Sequence, residues 1–361
     1  MKGLLLAGGH GTRLRPLTFT GNKHMIPVAN QPMLFYGLEH LARAGIREVA
    51  IILGPMHEGV QEAVGDGEKF GLSVTYIRQG DPKGLAHAVL CARDFLGDDP
   101  FVMYLGDNLL QEGVRNFVER FSKGDVDAVV GVIPVARPSS YGVVELGQDG
   151  RIVSIAEKPT EPRSNLALIG VYLFSPRIHP IIERLQPSPR NELEITEAIW
   201  KLHESGAAIA VRHVNGWWKD TGRPADLLEA NALVLGGLPP TETVNGGFVS
   251  LKAKITGAVR IGAGSVISPE THLEGPVVIG GNVSVGPSVR LGPNASVGDH
   301  CRLGRGATVQ DSILMEGVCI EGPVSVSNSI IGRGTKVTSG RADRDRVSIS
   351  LVAGDATQLC F

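Results

Sequence analysis

Residues 261–309 read IGAGSVISPETHLEGPVVIGGNVSVGPSVRLGPNASVGDHCRLGRGATV, and an aliphatic side chain falls on every sixth position. The series is Ile261, Ile267, Leu273, Ile279, Val285, Leu291, Val297, Leu303 and Val309, and six of these nine are followed at once by glycine. A six-residue period stacks like on like when each turn of a parallel β-helix carries three such positions. The count slips by one at Leu314 and resumes near Ile320, Val326, Ile331 and Val337. This half is expected to be a left-handed parallel β-helix over residues 248–361, including a C-terminal tail.

Upstream the rhythm differs. Short β-rich runs, GLLLA (3–7), EVAIIL (48–53), SVTYIR (73–78), FVMYLG (101–106) and DAVVGVIPV (127–135), alternate with MLFYGLEHLARAG and GLAHAVLCARDFL, whose apolar spacing is helical. Apolar strands alternating with helices predict an α/β, Rossmann-like, mostly parallel sheet covered on both faces. The glycine- and proline-rich LGGLPPTETVNGG (235–247) reads as the join, so the expected domains are 1–237 and 248–361 with a linker at 238–247.

The chain has 361 residues, a formal net charge of −2 and no apolar run long enough to span a membrane. That balance argues against nucleic acid or a membrane surface as partner. Cys91, Cys301, Cys319 and Cys360 lie far apart without a CxxC pair, which implies neither zinc nor a disulfide framework and fits the cytoplasm.

Directly behind the first strand comes GGHGTRLRPLTFTGNKHMIP (8–27), dense in glycine and cations. The dinucleotide fingerprint fails because Leu14 stands at its third glycine and no acid ends the second strand. The Walker pattern is absent. What remains is a glycine turn with Arg13, Arg15 and Lys23, a set suited to phosphate through backbone N–H groups, a guanidinium fork and a point charge.

This stretch resembles the signature of sugar-1-phosphate nucleotidylyltransferases, GGxGTRLxPLTxxxxKxLxPV. RQGDPKGLAHAV (78–89), YLGDN (104–108), YGVVE (141–145), EKP (157–159), NLALIGVY (165–172), RNELEITEAI (190–199) and WWKDTG (217–222) follow in the family's order. The chain is similar to the long members, which carry an appended hexapeptide domain. The implied reaction transfers a nucleotidyl group from dTTP to glucose-1-phosphate and releases pyrophosphate, with a UTP-dependent uridylyltransferase as the alternative.

By the same resemblance Gly8, Gly9, Gly11, Thr12 and Arg13 cradle the triphosphate, and Arg13 and Lys23 are the catalytic cations. Gln79 and Gly84 read the base, and His24 stands near the nucleotide's sugar where the family usually has glutamine. Gly142, Glu157 and Lys158 hold sugar hydroxyls and the 1-phosphate, while Leu168 and Tyr172 line that pocket. Asp107, with Asn108 beside it, and Asp220 are the expected Mg2+ ligands, since a hard cation takes carboxylate and phosphate oxygens. Arg15 is either a rim residue or a solvated cation.

Two other classes compete. Acyltransferases also use hexapeptide coils, but His272 and His300 sit inside regular hexads, where they are expected to face solvent. A non-catalytic paralogue would have lost Arg13, Lys23, Asp107 or Asp220, and all four are present. The weakly charged outer stretches VSVGPS and ASVGDH predict a homo-oligomer, a trimer first and a tetramer second.

Overall fold

The computed structural model describes residues 1–240, 243–339 and 347–361. Residues 241 and 242 of the expected linker and 340–346 of the expected hexapeptide domain lie outside the described residues. The chain forms two compact units, one of residues 1–10 and 34–220, the other of 11–33 and 221–361.

The first unit is built on a nine-stranded sheet. Strands β1 (Lys2–Ala7), β2 (Glu48–Leu53), β3 (Ser73–Arg78) and β4 (Phe101–Leu105) run parallel in the order β4-β1-β2-β3. β5 (Asn108–Leu110) follows β4 at once but leaves the sheet. β6 (Ala128–Pro134), β7 (Gly142–Leu146), β8 (Ile152–Glu157), β9 (Leu166–Phe174) and β10 (Ile209–His213) complete it. β9 runs against β4, β6 and β7, β8 runs against β7, and β10 runs along β6. Seven of the nine strands therefore share one direction, and only β8 and β9 are reversed. β11 (Trp218–Asp220) pairs antiparallel with β5 beside the sheet.

β1, β2 and β4 are apolar on both faces because both are covered. Leu4, Leu6, Ala50, Ile52 and Met103 join one core with Ile195, Ala198, Ile199 and Leu202 of the helix Ile195–Glu204. Each such buried aliphatic contributes about 1.5–3 kcal/mol. The expected helix over 33–45 is Met33–Arg43, whereas the one over 84–96 breaks at Ala92 into Leu85–Cys91 and Arg93–Leu96.

In the second unit, three parallel sheets of seven, seven and six strands grow together, because each circuit of the chain adds one strand to each. Leu273 pairs with Leu291 and Leu291 with Val309, eighteen residues on each time. Val309 then pairs with Val326 and Val297 with Leu314, seventeen on, so the slip in the hexads is a turn one residue short. The hexad side chains Ile261 through Val309 are all buried in a single core. His272 and His300 are exposed.

Compactness divides the chain differently from sequence rhythm. The helix Pro224–Gly236 and residues 11–33, both ahead of the boundary expected at 237, belong with the stacked sheets. The reason is visible in Asn231 of that helix, which is buried and bonded to Ala29, Ser296 and Asn294. Among the described residues no helix is long and apolar enough to cross a membrane, and the four cysteines are free.

Candidate active site

The parallel strands end together, and the turns after β1, β2, β3 and β4 gather at one edge of the sheet. After β4 the chain turns through Gly106 and Asp107 into β5. Asn108, only 2% exposed, is the pivot of that turn. Its Oδ1 accepts from Trp218 Nε1 (2.6 Å) and from the Gly170 N–H (3.1 Å), and its Nδ2 donates to Asp107 Oδ1 (3.0 Å). A Cβ on Gly170 would lie 2.6 Å from the Asn108 side chain, so glycine is needed there. The Tyr104 hydroxyl donates to the Asn108 carbonyl (3.0 Å), and burial pushes the Tyr104 pKa up. Register places Asp220 opposite Asn108, the residue that follows Asp107 in the chain. Two aspartates brought to one turn offer hard oxygen donors of the kind that suits a divalent cation sharing phosphate oxygens.

Gln79 follows β3 as Gly8 follows β1. A Cβ on Gly8 would stand 3.0 Å from Gln79 Oε1. Gln79 Nε2 donates to the Gly84 carbonyl (3.2 Å) and lies 3.2 Å from His87 Nδ1. A carbonyl can only accept, so the amide nitrogen is fixed on that side and Oε1 is left as an acceptor towards Gly8. Burial, reinforced by Lys83, lowers the His87 pKa. Gly84 has φ +99°, and a Cβ there would strike the Leu193 backbone at 2.5 Å. Only glycine opens the helix Leu85–Cys91 at this spot.

Gly142 and Glu157 face each other across β7 and β8. A Cβ on Gly142 would meet Thr196 at 2.5 Å and Glu157 and Leu168 at 3.3 Å. Glu157 receives Thr196 Oγ1 (3.2 Å), Arg190 Nη2 (3.2 Å) and, more distantly, Lys158 Nζ (3.6 Å). Burial raises its pKa, against the pull of Lys158 and Arg190. A cavity of about 570 Å³ opens here, walled by Glu157, Lys158, Arg190, Glu194, Thr196 and Trp200. Leu168 and Tyr172 lie behind it in the hydrophobic core. Burial, then the Glu157 charge, drives the Tyr172 pKa up.

The chain reaches the signature through Gly8, Gly9 and His10, but residues 11–33 are organised in the other unit. Gly11 has φ +63°, and a Cβ on it would lie 2.9 Å from both Lys23 Cβ and Thr18 Cγ2. Thr18 Oγ1 donates to the Gly11 carbonyl (2.8 Å). Thr12 and Arg13, on the short turn Thr12–Leu14, are exposed. Arg15 lies over the Phe19 ring. Asn22 caps the turn Lys23–Met25 by accepting the His24 N–H (2.8 Å). His24 is 2% exposed and its Nδ1 is 2.7 Å from Asn22 Oδ1.

The nucleotidyl transferase family pattern matches residues 2–236, well over half of the chain. The chain belongs to the nucleotidyl transferase family. A second pattern, the GMPPB C-terminal domain, matches residues 273–349 of this nucleotidyl transferase. It is 47% identical over 339 residues to a glucose-1-phosphate thymidylyltransferase of Streptomyces antibioticus, covering 94% of each chain. It is 54% identical over 238 residues to a nucleotidyltransferase of low-salt glycan biosynthesis from Haloferax volcanii, 65% of this chain and 66% of that one. Of solved structures, a glucose-1-phosphate thymidylyltransferase of Bacillus anthracis in complex with sucrose is similar with a TM-score of 0.61 and 39% identity. A UDP-glucose pyrophosphorylase complexed with UDP-glucose is similar with 0.58 and 28%. These cover 64% of this chain and 94% and 96% of theirs.

The structure of the nucleotidyl transferase brings Gly8, Gln79 and Gly84 together, Asp107, Asn108 and Asp220 together, and Gly142, Glu157, Lys158 and Leu168 together. Arg190, Glu194 and Thr196 complete the last group without having been singled out, although they lie in the quoted RNELEITEAI. An arginine followed by two glutamates within four residues looks like surface charge until Glu157 arrives from 33 positions away. Trp218, Gly170 and His87 likewise carry no local signal of their partners.

Proposed function

We propose that the protein catalyses Mg2+-dependent nucleotidyl transfer from dTTP to glucose-1-phosphate, giving dTDP-glucose and pyrophosphate. A phosphate oxygen of the sugar attacks the α-phosphorus in line. The bond from that phosphorus to the β-phosphate's bridging oxygen breaks, and pyrophosphate leaves with the electron pair. The attacking group is already an anion, so positioning and charge neutralisation suffice.

In this reading Gly8, Gly9, Gly11 and Thr12 offer backbone donors to the triphosphate, and Arg13 and Lys23 neutralise charge on the transferring and leaving phosphates. Gln79 Oε1 accepts the base's ring N–H, with a backbone N–H at Gly84 beside it. His24, pinned by Asn22, stands near the nucleotide's sugar through its fold position and not through a free ring. Glu157 receives sugar hydroxyls at the Gly142 wall, Lys158 takes the 1-phosphate, and Leu168 and Tyr172 support the wall from behind. Asp107 and Asp220 would hold Mg2+, which when bound supplies charge neutralisation at the α-phosphate. Asn108 fixes the Asp107 carboxylate for that purpose. The observation that supports the reading is the β5–β11 ladder, which pairs Asp220 with Asn108, the residue next to Asp107.

Favouring thymidylyl over uridylyl transfer is the 47% and 44% identity, over 94% of this chain, to two Streptomyces glucose-1-phosphate thymidylyltransferases. The UDP-glucose-bound neighbour favours the second reading, since an acceptor such as Gln79 Oε1 meets the same N–H in uracil and thymine. Turnover of glucose-1-phosphate with dTTP and with UTP, side by side, decides: a kcat/KM for UTP above that for dTTP overturns the first reading.

The functional domains are proposed as 1–237 for catalysis, 238–247 as linker and 248–361 as a left-handed parallel β-helix, which the three parallel sheets and eighteen-residue circuits support. That second domain is proposed to form a homo-oligomer, a trimer before a tetramer. Phe248 and Val266, paired in register and exposed, lie on its outer surface. Light scattering of the full chain tests this, and a monomer refutes it. Four free thiols support a cytoplasmic location.

A further inference from the structure

Residues 20–30 carry Lys23, and the same unit grips them at three points. Thr20 Oγ1 donates to Asp355 Oδ2 (2.7 Å). The other oxygen of Asp355 accepts the Arg333 N–H (2.7 Å), and the Arg333 guanidinium donates to the Met25 carbonyl (3.2 Å). Lys23 therefore lies between two anchors set by neighbouring turns of the stacked sheets.

The third point is under strain. Ala29 and Asn30 form the turn between the strands Pro27–Val28 and Gln31–Pro32, and both have positive φ, +48° and +64°. For alanine the left-handed region is unfavourable, and such a conformation persists only where its surroundings over-determine it. Here they do. The Ala29 N–H donates to Asn231 Oδ1 (2.8 Å), which also accepts from Ser296 Oγ (2.6 Å), and Asn231 Nδ2 donates to the Asn294 carbonyl (3.3 Å). Asn30 Nδ2 donates to the Val297 carbonyl (2.6 Å). Asn231 is 1% exposed and Ser296 fully buried, so these bonds do not compete with water.

We propose that Asn231, Arg333 and Asp355 are positioning residues for the transfer reaction: the stacked sheets hold the Lys23 turn in its working shape. This gives the hexapeptide half a part in catalysis besides any assembly. The step from position to rate rests on the role proposed above for Lys23. Removing the whole half would delete anchors and core together, so point variants are the test.

Asn231→Leu keeps bulk but removes the acceptor. It should lower kcat at least about tenfold while the KM for glucose-1-phosphate stays within about twofold, since the sugar cavity belongs to the other unit. Amide exchange over residues 20–30 should quicken while that of 48–53 does not. Asp355→Ala, which leaves the buried anchor intact, should give a smaller change of the same kind and stands in if Asn231→Leu does not fold. Val326→Ala opens a cavity in the stacked-sheet core away from the anchors; it should lower Tm and leave kcat within twofold. Unchanged exchange over 20–30 overturns the anchoring. Quickened exchange with an unchanged kcat overturns the link to catalysis, as does a kcat loss in Val326→Ala equal to that in Asn231→Leu. Should the parent enzyme turn over neither nucleotide, the functional reading fails, and the exchange arm still decides the anchoring.

Discussion

In the sheet unit, Gly8, Gln79, Asp107 and Glu157 sit at the ends of four strands, and each meets partners that the chain supplies much earlier or later. In the stacked-sheet unit, Leu273 meets Leu291 and Leu291 meets Val309, and every circuit repeats the arrangement of the last. A sheet whose neighbours are remote in sequence converges unlike side chains on one edge. A quasi-one-dimensional stack contacts only adjacent repeats and offers the same environment again and again. The first topology can build a site. The second serves as a rigid rail, and its chemistry is limited to the backbone carbonyls and single polar side chains that fasten residues 20–30.

The sharpest break of this comparison is Asp107→Asn, which keeps the size and the Asn108 contact but removes charge. Steady-state assay of pyrophosphate release should show kcat down on the order of 100- to 1,000-fold. A variant at near-parent activity would mean that the β5–β11 ladder is not where the site lies. Chelation of divalent metal should match that loss in the parent enzyme.

Leu291→Ala probes the rail. It empties a fully buried hexad position and should cost about 2–4 kcal/mol, read as a lower denaturant midpoint of the stacked-sheet transition. Because repeats feel only their neighbours, the sheet unit's transition should hold its midpoint.

Acid should separate the units next. Burial, helped by Arg43, pushes the His40 pKa down to about 4 from 6.5. The unfolded chain then binds more protons than the folded one between these values. Stability is therefore full above about pH 6.5 and is lost as pH falls toward 4, by on the order of 2–3 kcal/mol. His40→Phe keeps a ring near Tyr104 and removes the titration, so melting across that window should flatten. An unflattened profile would place the acid trigger elsewhere.

The smallest expected effect is Gly84→Ala. A positive φ and the Leu193 backbone at 2.5 Å leave no room for Cβ, so the loop must shift at a cost of about 1–3 kcal/mol. With Gln79 bonded to the Gly84 carbonyl, the KM for the nucleotide should rise several-fold and kcat change little. The reverse split would detach Gly84 from base recognition.

Much of this was legible in the chain. The strands β1, β2 and β3 were expected to within a residue, because an apolar run covered on both faces announces itself. β7, β8 and β9 carry no strand–helix alternation, and only their pairing shows the reversed strands. The glycines at 11, 84 and 142 were legible as part of motifs, yet the neighbours that crowd each of them (Lys23, Leu193 and Thr196 in turn) appear only in space.

The sequence by itself determined the six-residue stack, the glycine loop behind the first strand and the family, since each of these is a local or periodic pattern that neighbours in the chain can express. Tertiary structure alone decided that Arg190 and Thr196 close on Glu157, that Asn108 is a buried pivot holding Asp107, and that Asn231 holds the turn after Lys23. Apart from the bond between the neighbours Asn108 and Asp107, whose pivot is itself set by Gly170 and Trp218, those contacts join residues 33 to 202 positions apart. No local propensity encodes such a pairing; it exists only once burial has removed water as the competing partner.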